Sequence, residues 1–128
     1  NKQIFYIGAL NEQEKYRCLA QARMTICCPN QSYHNHADPT QQVAQESGCM
    51  GTPVLSSANG GMREYVLPEL GRCGSTLGAM LRLLPTVWDM KRSLGSAFIL
   101  QAAQAEFDLL EHKEEWINVI EEVIHVPG

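Results

Sequence analysis

The sequence predicts an α/β domain, a three-layer sandwich with a parallel sheet at its centre. Three observations carry that expectation. Short apolar runs of strand length, at residues 4–7, 24–28 and 53–55, alternate with stretches of helical periodicity. The first two are continuous rather than alternating, which suits strands covered on both faces. Glycine and proline fall between the runs, at Gly8, Pro29, Gly48, Gly51, Gly60 and Gly61. A chain of 128 residues with 45% hydrophobic content can close one packed core, so a single domain spanning residues 1–128 is expected.

Taken in order, residues 4–7 are strand formers ended by Gly8, and Asn11 with Glu14 three positions later is a capping box opening a helix. That helix buries Tyr16, Leu19 and Ala20, spaced i, i+3 and i+4. Residues 24–28 form the next strand, stopped by Pro29, and a polar loop leads to Asp38 as N-cap, Pro39 at N1 and Gln41 at N3 of a second helix ending near residues 48–51. A third strand at residues 53–55, a Gly60-Gly61 turn, a brief helix over 63–66 and a small strand over 71–74 follow. From Leu77 the pattern is helical, with 77–84 as one segment and residues 87–128 a C-terminal helical segment. One stripe there carries Phe98, Ala102, Ala105 and Leu109, and another Trp116, Val119, Ile120 and Val123, with Glu114, Glu115, Glu121 and Glu122 on the solvated side.

A net charge of −4 with scattered basic residues argues against nucleic acid and anionic membrane surfaces as partners. No apolar run approaches the roughly 18 residues that cross a bilayer, so a non-transmembrane, cytoplasmic protein is expected. The five cysteines, two of them the adjacent Cys27 and Cys28, fit neither a disulfide framework nor a zinc spacing and read as buried thiols of a reducing compartment.

The chemistry concentrates between residues 38 and 61. Asp38 starts a helix and Glu46 lies about two turns along it. The free N–H groups of Thr40, Gln41 and Gln42, at the positive end of the helix dipole, form a seat for a diphosphate. A carboxylate further along accepts paired hydrogen bonds from ribose hydroxyls, as acidic residues do in other nucleotide sites.

These segments resemble the carboxy-terminal domain of family 4 glycosyltransferases, the Rossmann-like half of the GT-B architecture. The likeness rests on three stretches in order. They are Phe5-Tyr6-Ile7-Gly8-Ala9-Leu10, the acids Asp38 and Glu46 separated by seven residues, and Glu46 through Gly51-Thr52-Pro53-Val54 to Gly60-Gly61-Met62-Arg63-Glu64. The last is the most specific. The resemblance implies the nucleotide-sugar-binding part of a retaining, metal-independent transferase that uses a nucleotide diphosphate sugar as donor and needs no further cofactor. It implies that Glu46 binds ribose, that Asp38 contacts the donor sugar as the catalytic-side acid, and that Thr40, Gln41 and Gln42 meet sugar or phosphate. Gly8 and Leu10, with Glu12 and Lys15, fall beside the base, and Gly60 and Gly61 face the ligand.

Two departures accompany it. The leading acid of the family is usually glutamate, whereas Asp38 is one methylene shorter and precedes Pro39. The family's basic pair, which meets the charge developing on the diphosphate, lies upstream of the glycine segment, where only seven residues precede Gly8. A truncated chain is therefore expected, inactive by itself, whose acceptor comes from an amino-terminal domain or a partner chain.

Plainer roles stand beside these. Asp38 serves as a helix cap, Glu46 as a surface carboxylate, Gly60-Gly61 as a turn, and His34 and His36 as solvated loop residues rather than metal ligands. The corresponding functional alternatives are a degenerate, non-catalytic nucleotide-binding or protein-interaction module of the same fold, and another nucleotide-handling protein of flavodoxin-like shape. The lack of a GxGxxG or P-loop pattern argues against common dinucleotide and triphosphate binders.

Overall fold

A computed structural model describes residues 4–28, 39–58, 62–107 and 113–124. The elements run α1 (Glu12–Gln21), β1 (Thr25–Cys27), α2 (Pro39–Cys49), β2 (Val54–Ser57), α3 (Met62–Tyr65), β3 (Gly71–Gly74), α4 (Leu77–Leu94), α5 (Ser96–Glu106) and α6 (Lys113–Ile124). The strands make a parallel sheet in the order β1-β2-β3, with Ile26 opposite Leu55 and Leu55 opposite Arg72. The α/β class and parallel sheet are as the sequence predicts.

Alternation along β2 separates two cores. Val54 points to one face, where it joins Cys27, Ala44, Met62 and Val66. Leu55 points to the other and packs with Met80, Val87 and Met90 of α4. A third cluster lies where α1, α5 and α6 meet the end of α2, and contains Tyr16, Leu19, Ala20, Cys49, Met50, Ile99, Ala103 and Val119. The capping box of α1 forms in both directions. Glu14 N–H donates to Asn11 Oδ1 at 2.8 Å and Asn11 N–H to Glu14 Oε1 at 3.1 Å.

A polar hub joins these layers. The Lys91 ammonium of α4 donates to the carbonyls of Ala20 at 2.8 Å and Ala22 at 2.6 Å, and to Thr52 Oγ1 at 3.0 Å. Thr52, fully buried, donates to the Leu19 carbonyl at 2.5 Å. Ser47 of α2 donates from Oγ to the Thr52 carbonyl at 2.9 Å and lies 2.8 Å from Thr25 Oγ1. Since α1 has no basic residue in its own last turn, a lysine from another helix meets the negative end of its dipole.

Four expectations need correction. Residues 4–7 are not a strand and are exposed, with Ile4 at 81% and Tyr6 at 98%. A strand exists only through hydrogen bonds to a neighbour, and none of the strands pairs with this run among the described residues. The helix expected over 77–84 continues through Pro85 to Leu94. Proline costs the Leu81 carbonyl its partner, but Val87 and Met90, buried against Leu55, hold the later turns in place. In α5 the buried stripe is Ile99 and Ala103, while Phe98 is 47% exposed. The segment is apolar around most of its circumference, so periodicity leaves its rotational phase open. Finally, Cys27 and Cys49 are buried, but Cys18 and Cys28 are exposed.

The close packing of β2 on β3 depends on Gly71. A Cβ there would lie 1.9 Å from the Val54 carbonyl oxygen, a backbone atom fixed by the sheet. Gly71→Ala is expected to lower unfolding stability by about 3 kcal/mol. Lys91→Met, which strips the hub of its donors, is expected to cost about 1–3 kcal/mol. Both appear as lowered denaturant midpoints in urea unfolding.

Candidate functional site

Glu46 sits on the side of α2 that turns toward α1. Its neighbours Ser47 and Cys49 are fully buried, and Glu46 itself is 3% exposed, which overturns the plain expectation of a surface carboxylate. A buried carboxylate is costly unless a counter-charge or hydrogen-bond donors compensate it.

The counter-charge is Lys15, whose Nζ lies 2.8 Å from Glu46 Oε2. The contact is a close ion pair, and neither carboxylate oxygen has another donor among the described residues. Burial acts to lower the Lys15 pKa, but the adjacent Glu46 carboxylate outweighs it and holds the ammonium above its usual range, with Tyr16 and Glu12 adding in the same direction. Lys15 Nζ also lies 5.1 Å from the centre of the Tyr16 ring.

The same environment silences a neighbouring thiol. Burial, reinforced by the charge of Glu46, pushes Cys49 up to about 12. Burial also raises the Cys73 thiol, against the opposing effect of Arg63. The shift on Cys49 keeps that thiol protonated at neutral pH.

The remaining site residues are distributed as follows. Thr40, Gln41 and Gln42 occupy the first turn of α2, so their backbones belong to the helix start as expected. The Gln42 side chain is exposed, and those of Thr40 and Gln41 lie outside the described set. Gly8 has a positive φ of 83° in an exposed turn, and Leu10 is half-buried just ahead of α1. Asp38, Gly60 and Gly61, together with His34 and His36, lie outside the described residues, as does the side chain of Glu64. On the α6 side of α1, Glu12, Gln13 and Tyr16 line a recess of about 250 Å³ with Asn118 and Val119.

Two participants were not assigned their roles by the sequence. The pairing of Lys15 with Glu46 spans 31 positions and has no local signature. Thr52, read only as part of the Gly-Thr-Pro-Val stretch, is a structural hydroxyl between α1 and β2.

Alkylation of the folded chain with iodoacetamide at pH 7.5 is expected to label Cys18 and Cys28 first, leaving Cys49 protected until denaturant is added; peptide mass spectrometry reads the order. No helix among the described residues is long and apolar enough to cross a membrane. No protein-family model matches this chain, and no curated protein or solved structure is significantly similar to it.

Proposed function

We propose that this chain is the nucleotide-sugar-binding part of a retaining glycosyltransferase. In this reading a nucleotide diphosphate sugar lies across the start of α2, and the acceptor is presented by a second domain or a partner chain. The observation that carries the proposal is Glu46, a carboxylate 3% exposed that, among the described residues, meets only the Lys15 ammonium and has no donor at Oε1. Proteins retain such a group where its acceptor capacity is used.

The roles divide by position on α2. The N–H groups of Thr40, Gln41 and Gln42 meet the diphosphate at the positive end of the helix. Glu46, about two turns along, accepts the ribose hydroxyls. Asp38 contacts the donor sugar, Gly60 and Gly61 border it, and the turn at Gly8 to Leu10 borders the base. Transfer proceeds with retention of configuration and without a metal. The leaving diphosphate is stabilised by the helix start and by basic groups contributed across the cleft.

The ion pair with Lys15 also favours a second reading, a non-catalytic module in which Glu46 and Lys15 serve only to join α1 to α2. Titration with UDP, GDP and ADP, followed by backbone amide NMR, separates the two. The proposed function requires saturable shifts at Gly8, Thr40 and Glu46 with one preferred base, weakened at least about ten-fold in Glu46→Ala, the scale of hydrogen bonds to a charged group. A well-folded sample that responds to none of the three nucleotides supports the non-catalytic module.

A further inference from the structure

We infer that Lys15 is a displaceable counter-ion of Glu46, which an incoming cis-diol replaces, and that Glu12 receives the lysine when it leaves. The inference rests on the nucleotide reading above and specifies how its ribose site opens.

Glu46 is too deeply buried for a ribose to reach it while the surrounding side chains stay in place. Of the two partners, Glu46 is the fixed one, because Ser47 and Cys49 beside it on α2 are fully buried. Lys15 is the movable one. Its side chain is 31% exposed, and its flexible four-carbon stem swings the ammonium without moving α1.

The exchange balances chemically. Lys15 meets Glu46 at one oxygen only, Oε2 at 2.8 Å, and leaves Oε1 without a donor among the described residues. A vicinal diol supplies two hydroxyl donors, one for each oxygen, which is the pattern a carboxylate accepts best. The departing ammonium has a ready destination. Glu12 stands three positions earlier on α1, on the same helical face, already interacts electrostatically with Lys15, and is exposed. The ammonium thus passes from a buried carboxylate to an exposed one, and the Glu46 carboxylate exchanges a counter-charge for two hydroxyl hydrogen bonds. On the nucleotide reading, the group that replaces Lys15 carries adjacent hydroxyls, those of the ribose.

The test is calorimetric titration of the whole chain with UDP, GDP and ADP in wild type, Lys15→Met and Glu12→Gln. Removing the competitor is expected to tighten binding of the preferred nucleotide about three-fold in Lys15→Met, the scale of a part-exposed ion pair. Removing the destination is expected to weaken it about two-fold in Glu12→Gln. In the wild type, the Lys15 ¹³Cε resonance shifts on nucleotide addition, which reads the exchange even if Lys15→Met folds poorly. Binding that is unchanged or weaker in a folded Lys15→Met, or a Lys15 resonance that stays fixed through saturation, overturns the exchange and leaves the nucleotide reading standing. Failure of every nucleotide to bind wild type, Lys15→Met and Glu12→Gln overturns both.

Discussion

The ammonium of Lys91 is the point at which the layers of this protein are tied. It reaches from α4, which covers one face of the sheet, to the final carbonyls of α1, and touches Thr52 at the threshold of β2. Burial lowers its pKa, so holding a charge there opposes its desolvation. What compensates is geometry: three acceptors take its three donors, and two of them are carbonyls with no partner inside their own helix. The hub continues through Thr52 and Ser47 to the first residue of β1. A single network therefore fixes where α1 ends, where β2 begins and how α2 is seated.

That arrangement sets up the candidate site. Because α1 is fixed at its C-terminal end by Lys91 and at its N-terminal end by its capping box, the face bearing Lys15 is presented to α2 at a defined height. Because Ser47 anchors α2 through its hydroxyl, the preceding residue, Glu46, is turned inward toward α1. The polar hub and the ion pair are thus neighbours in sequence and in cause. One is saturated with hydrogen bonds, whereas the other, among the described residues, leaves acceptor capacity unused.

Local chemistry made much of the fold legible. The Asn11–Glu14 box, the helix start at Pro39 and the glycine-bounded strand at residues 71–74 are decided within a few residues, and the observed elements follow them closely. What could not be read was decided across long separations. Whether residues 4–7 become a strand depends on a pairing partner, whether α4 survives Pro85 depends on Leu55, and which side of α5 turns inward depends on the cluster around Tyr16. The site divides in the same way. The Glu46 position was visible in its spacing to Gly51-Thr52-Pro53-Val54, but its burial and its choice of Lys15 belong to the packing of α1 on α2.

The sheet carries a colloidal consequence. β1 is one of its two outer strands, and Ile26, on the side of the sheet that faces α4, is 53% exposed beside a backbone edge that no strand pairs among the described residues. The same molecule displays Ile4, Phe5, Tyr6 and Ile7 to solvent, a short segment rich in strand formers and free of charge. A strand edge and a segment of strand formers are the two halves of an intermolecular strand pairing. Wherever neither is covered, the concentration of the protein, rather than the stability of its core, sets how long it stays dispersed.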